Sequence, residues 1–168
     1  PSSTPCSSSA ASDVYKRQDV GSGKTIVALT SILNVINSKF QVAFMAPTEI
    51  LAQQHYNLAK SLLPDNVKID ILTSKTDNKI RKKIINDLEN HQIDLLIGTH
   101  SLFQNKINYR KLGLIIIDEQ HKFGVKQRKK LSDKGGKNCD ILVMSATPIP
   151  RTMIMTIFGD MDVSIIKS

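Results

Sequence analysis

Leu114-Ile115-Ile116-Ile117 is an unbroken apolar run that ends abruptly in Asp118-Glu119-Gln120-His121. A run without alternation suits a strand covered on both faces, the kind found in parallel sheets, and here it leaves two carboxylates at the C-terminal tip of that strand. Open α/β sheets bind their ligands at that tip. Far upstream, Gly21-Ser22-Gly23-Lys24-Thr25 supplies the complementary chemistry. Backbone N–H groups of a glycine loop at a helix N-terminus surround phosphate oxygens, Lys24 can reach the terminal phosphates, and the Thr25 hydroxyl can ligate magnesium. Asp118 can then hold the magnesium and its water shell while Glu119 orients an attacking water. Either half alone is weak, because Gly-x-Gly-Lys-Thr also serves as a plain turn into a helix and Asp-Glu also ends ordinary strands. Their order, their separation and the motifs between and after them point to nucleotide hydrolysis by a Walker A and Walker B pair.

The rest of the chain alternates strands and helices. Strands are expected at 41–46, 68–72, 94–97, 114–117 and 141–144, and helices at 25–37, 49–63 and 77–90. The last helix repeats apolar residues at Ile80, Ile84, Ile85 and Leu88, and Pro64 stops the one before it. This pattern predicts an α/β fold of the P-loop NTPase class, a parallel sheet with helices on both faces. Thr48, Thr99, Asp118 and Ser145 then fall together at the C-terminal edge of the sheet.

A chain of 168 residues with 40% apolar and 23% charged residues can bury one core, which excludes a disordered tail. Its +8 charge, from 23 basic and 15 acidic residues, is compatible with an anionic partner such as nucleic acid. The richest basic stretch, Lys79-Ile80-Arg81-Lys82-Lys83, reads as a solvated helix face. No apolar run is long enough to cross a bilayer, so no membrane partner is expected. Cys6 and Cys139 form no disulfide framework and no metal-ligand spacing, which points to a reducing cytoplasmic setting; Cys139 reads as a small core residue. The four histidines are scattered, and a zinc site is not expected.

Residues 1–18 are Ser/Pro/Ala-rich and lack apolar periodicity. They resemble adaptor-derived sequence and are expected to be non-native and disordered, leaving 19–168 as the folded unit. A full Walker A pattern places a glycine five positions before Gly23, where this chain has Gln18. The apolar strand expected to run into the loop is likewise replaced by Ala11-Ser12-Asp13-Val14-Tyr15-Lys16-Arg17. The chain as written is therefore expected to hold nucleotide poorly, and micromolar ATP binding would count against this.

Five segments carry a family resemblance: Asp19-Val20-Gly21-Ser22-Gly23-Lys24-Thr25, Met45-Ala46-Pro47-Thr48-Glu49-Ile50-Leu51-Ala52, Gly98-Thr99-His100-Ser101-Leu102, Asp118-Glu119-Gln120-His121-Lys122-Phe123-Gly124-Val125 and Met144-Ser145-Ala146-Thr147-Pro148-Ile149-Pro150-Arg151-Thr152. In that order they resemble motifs I, Ia, Ib, II and III of superfamily 2 helicases, with the RecG family as the nearest pattern, and the resemblance runs through 19–168. It implies the first of two RecA-like lobes. Gly21, Ser22, Gly23, Lys24 and Thr25 would then bind ATP, Thr25 and Asp118 would hold Mg²⁺, and Glu119 would orient the hydrolytic water. Gln120 and His121 would couple hydrolysis to DNA, with Ser145 and Thr147 as relay partners. Thr48, Thr99, His100 and Arg151 would contact DNA, whose backbone contacts carry no sequence information. Other roles stay open: Thr48 as a helix N-cap with Gln53 supporting the first turn, Ser145 and Thr147 as capping or turn residues, and Phe123-Gly124-Val125-Lys126-Gln127-Arg128 as a solvated loop.

The implied activity is ATP-driven remodelling of branched double-stranded DNA, such as stalled forks and Holliday junctions, in recombination and repair within a bacterial cytoplasm. It would require a second RecA-like lobe, with its arginine finger, and an N-terminal wedge domain. The isolated lobe is thus expected to be inactive or very slow. Two departures stand out besides Gln18: Thr73-Ser74 stands where the family pattern has Thr-Gly, and the second RecA-like lobe and the wedge domain that the resemblance implies are not expected within 19–168. The alternatives are a lobe of an Mfd-type translocase, whose pattern has an acidic residue where Gln120 stands and Phe where Ser22 stands, and a non-catalytic nucleic-acid-binding module.

Overall fold

The computed structural model describes residues 23–104, 106–118, 133 and 139–144. Helix α1 spans Gly23–Asn37, β1 Gln41–Met45, α2 Glu49–Leu62, β2 Ile69–Leu72, α3 Asn78–Glu89, β3 Leu95–Gly98, β4 Leu112–Asp118 and β5 Asp140–Met144, with a short 3₁₀ helix at His100–Phe103 after β3. All five expected strands and all three expected helices are present, with ends moved by one or two residues. The 3₁₀ helix is an addition to the expected elements, its four residues being too few to show a period in the sequence.

The strands form one sheet in the order β2-β3-β1-β4-β5, and every pairing is parallel. Alternation along the strands divides the interior into two layers. Val42, Phe44, Leu114 and Ile116 face one way and pack with Ala28, Leu29 and Ile32 of α1 and Ala52 and Ala59 of α2. Ala43, Met45, Ile115 and Ile117 face the other way, against Ile84 and Leu88 of α3 and Leu102 and Phe103 of the 3₁₀ helix. Helices therefore cover both faces, as the unbroken apolar run of β4 requires. Ile115, Ile116 and Ile117 are fully buried, and each contributes about 1.5–3 kcal/mol relative to exposure.

One apolar position departs from expectation. Ile80 lies in the first turn of α3 and is 55% exposed, whereas Ile84 and Leu88 of the same helical series are buried. The series points inward only from the second turn, and Lys79, Lys82 and Lys83 lie on the exposed side as expected of a solvated face. Cys139 is half-buried beside the second layer rather than inside it.

Gln41, at the start of β1, is a buried polar side chain in an apolar setting. Its amide nitrogen, Nε2, donates to the carbonyls of Leu88 and Ile93, both at 2.9 Å, and Oε1 accepts from the N–H groups of Arg110 and Lys111 at 2.9 and 3.1 Å. One side chain thus ties the end of α3, the turn into β3 and the approach to β4 to the first residue of β1.

Gly98 ends β3 where the chain turns into the 3₁₀ helix. A Cβ placed there would stand 2.1 Å from the Leu72 carbonyl oxygen and 2.9 Å from Leu102 Cδ2. The first of these is backbone of the paired strand β2, so it cannot rotate away. Gly98→Ala is expected to cost about 1–3 kcal/mol by overpacking, read as a lowered midpoint in chemical denaturation; an unchanged midpoint would show that β2 and β3 can separate freely at this end.

Candidate nucleotide and nucleic-acid site

Registers bring the strand ends level. Met45 lies opposite Gly98 and Ile117, Leu72 opposite Gly98, and Asp118 opposite Met144. The segments that follow these strands therefore gather at one edge, and Thr48, Thr99 and Asp118 lie there as the sequence predicts. Ser145 follows directly on β5 but lies outside the described residues, as do Gly21, Ser22, Glu119, Gln120, His121, Thr147 and Arg151.

Asp118 is the last residue of β4. Strand alternation places it on the side of Leu114 and Ile116, the layer covered by α1 and α2. Gly23 and Lys24 begin α1, and Thr25 is buried in its first turn. The helix that opens with the glycine-lysine-threonine sequence and the Asp118 carboxylate thus belong to the same side of the sheet. A hydroxyl and a carboxylate, both oxygen donors, fit a hard divalent cation such as Mg²⁺. Among the described residues no three His, Cys, Asp or Glu side chains cluster as metal ligands.

Thr48 caps α2, its Oγ1 accepting from the Leu51 N–H at 3.2 Å. Capping uses a lone pair, so the hydroxyl proton can still be donated to a phosphate, and the capping and contact roles are compatible. Gln53 does not support this turn; its amide donates to Asn57 Oδ1 at 3.1 Å, one turn further along. Glu49, next in sequence, accepts from the Ser74 hydroxyl and pairs with Lys75 Nζ at 3.2 Å. The Ser74 hydrogen bond, followed by Lys75, holds the Glu49 carboxyl below the usual glutamate range. These contacts tie the loop after β2 to the start of α2. Thr73, where the family pattern continues with glycine, is instead followed by a serine that anchors this loop.

Thr99 precedes the 3₁₀ helix and does not cap it with its side chain. Its hydroxyl lies 3.3 Å from that of Ser101, which in turn donates to the Leu72 carbonyl at 3.1 Å. His100 opens the 3₁₀ helix. Thr99 and His100 thus stand at the C-terminal end of β3, beside the close approach at Gly98.

A histidine outside the five motif segments meets Asp118. His55 Nε2 lies 3.0 Å from Asp118 Oδ2, and the imidazole packs on Phe44 with ring centroids 4.6 Å apart and planes tilted by 45°. The available signal was helical spacing, since Ala52, His55 and Ala59 recur at one face of α2 and both alanines are buried.

Cys139 offers no reactive thiolate near neutrality. Burial, and then the charge of Asp140, push its thiol up to about 12. The reactive form is the thiolate, so alkylation of Cys139 by iodoacetamide is expected to stay slow through pH 9 and to rise only toward pH 12. Tested in Cys6→Ser, rapid labelling at pH 8 would contradict this placement.

The family described as DEAD/DEAH box helicase matches residues 4–156. ATP-dependent DNA helicase RecG of Borreliella burgdorferi is 49% identical over 151 residues, covering 89% of this chain and 22% of that protein. A solved structure of RecG bound to a three-way DNA junction superposes with a TM-score of 0.74 at 45% identity, covering 90% of this chain and 20% of that one. A DEAD box protein from Methanococcus jannaschii, 23% identical over 94% of this chain and 47% of its own, shares the fold with a TM-score of 0.69. The chain spans about a fifth of the length of the curated relatives it matches. With its parallel sheet, helix-covered faces and motif-bearing edge, and with the matched segment running through most of its length, the chain belongs to the DEAD/DEAH box helicase family.

Proposed function

We propose that this chain is the ATP-binding lobe of a RecG-type DNA helicase, which couples ATP hydrolysis to the remodelling of branched double-stranded DNA in recombination and repair. The observation that carries this reading is the 45% identity, at a TM-score of 0.74, to a RecG lobe solved on a three-way DNA junction. The sheet edge that collects Thr48, Thr99 and Asp118 supports it independently.

In this reading the backbone of Gly21, Ser22 and Gly23 cradles the phosphates and Lys24 neutralises the terminal ones. Thr25 and Asp118 hold Mg²⁺, which when bound offsets the charge that develops on the transferred phosphoryl group. Glu119 positions water for in-line attack. Gln120 and His121 follow the state of the nucleotide and pass it to Ser145 and Thr147 at the end of β5. Thr48, Thr99, His100 and Arg151 contact the DNA backbone with hydroxyl, imidazole, guanidinium and amide donors, a sequence-independent grip suited to a translocating motor. A second RecA-like lobe supplies the facing arginine and a wedge domain engages the branch. The proposed setting is the cytoplasm; among the described residues no helix is long and apolar enough to cross a membrane.

The experiment is ATP hydrolysis by the full-length protein containing this lobe, with forked and linear duplexes compared. Stronger stimulation by forks supports branch remodelling, and hydrolysis indifferent to DNA overturns it.

A further inference from the structure

We infer that His55 is a positioning residue for the metal-binding carboxylate, fixing the orientation of Asp118 through a hydrogen bond delivered from α2 across the edge of the sheet. The inference rests on the proposed nucleotide site and adds to it a residue that lies outside the five motif roles.

Three observations carry it. The bond is short and sheltered: Nε2 to Oδ2 is 3.0 Å, with side chains 14% and 18% exposed. The ring is also held from below, because it packs on Phe44, which is 2% exposed and sits in β1 opposite Ile116 of β4. The imidazole is therefore seated on the strand next to the one that ends in Asp118, and both partners are fixed to one rigid sheet. Finally, His55 lies on the inward face of α2, between buried Ala52 and Ala59, so the helix cannot turn it to solvent without exposing its own packed face.

The chemistry assigns the proton. An ionised carboxylate only accepts, so Nε2 carries the hydrogen, which sets the tautomer of the ring. With Oδ2 engaged by the ring, Oδ1 would remain to bind a cation or its water shell. An imidazole N–H does this through a single directional hydrogen bond to one carboxylate oxygen. Outer-shell partners of metal ligands typically contribute about 10–100-fold to metal affinity.

The test uses the full-length protein and Mn²⁺ as the probe, with free Mn²⁺ read by electron paramagnetic resonance in the presence of ATP. His55→Phe keeps a ring on Phe44 and removes the donor; its Mn²⁺ affinity is expected to fall about tenfold, while ATP affinity in EDTA is unchanged. His55→Gln, which retains an N–H donor, is expected to recover most of the loss. Equal Mn²⁺ affinity in wild type and His55→Phe overturns the inference while leaving the nucleotide site intact. Absence of metal-dependent nucleotide binding in wild type overturns the site itself, and the inference with it. A readout that needs no variant is the ¹⁵N spectrum of His55: a protonated Nε2 agrees, and a bare Nε2 with a protonated Nδ1 overturns the assignment.

Discussion

Glu119→Gln in the full-length protein is expected to lower DNA-stimulated ATP turnover at least about a hundredfold, the scale on which a positioned general base contributes, while ATP binding is retained. The substitution keeps the size and one carbonyl oxygen of the side chain but removes the charge that, in the proposed site, would orient the water. Asp118 ends β4 on the α1 and α2 side of the sheet, and in the proposed site it holds the metal while Glu119 orients the water. Hence Asp118→Asn should weaken Mg²⁺-dependent binding, whereas Glu119→Gln should spare it and strike kcat. Full turnover in Glu119→Gln would remove this residue from the chemistry.

Gln41→Leu is expected to destabilise the lobe by about 3 kcal/mol or more, since two carbonyls and two N–H groups lose a buried partner and each unsatisfied group costs about 1–3 kcal/mol. Leucine fills nearly the same volume, so the effect isolates the hydrogen bonds from packing. Those bonds join Leu88, Ile93, Arg110 and Lys111, and their loss should loosen the end of the sheet opposite the nucleotide edge. Thermal unfolding is expected to drop by roughly 10 °C for a domain of this size. A melting temperature unchanged in Gln41→Leu would mean that water replaces the amide at no cost.

Much of this architecture is legible in the sequence because its causes are local or periodic. The apolar run into Asp118 requires two covered faces, and the alternation of strands and helices supplies the covers. Ile84 and Leu88 repeat at helical spacing, and Thr48 before Glu49 announces the start of α2. Gln41 is not legible in this way, because its four partners lie in segments far along the chain and nothing in its neighbourhood marks it as buried. Its polar side chain at a strand start reads equally well as exposed. Ile80 misleads for the opposite reason: it has the right spacing, but its turn projects beyond the layer that Ile84 and Leu88 fill. His55 lies between these cases. Its spacing from Ala52 and Ala59 is visible, but its partner is sixty-three positions away and becomes its neighbour only when β1 and β4 pair. Gly98 shows the same dependence, since its need for a missing Cβ arises from the Leu72 carbonyl of a paired strand.

The most direct measurement is the rate of ATP hydrolysis by the full-length protein with a forked duplex, a linear duplex of equal length and no DNA, each repeated with Lys24→Ala. A branch-remodelling motor predicts greatest stimulation by the fork, weaker stimulation by the linear duplex and loss of all three activities in Lys24→Ala. Hydrolysis that ignores DNA, or that survives the lysine substitution, would contradict it and leave a basic α/β module that binds nucleic acid without turnover.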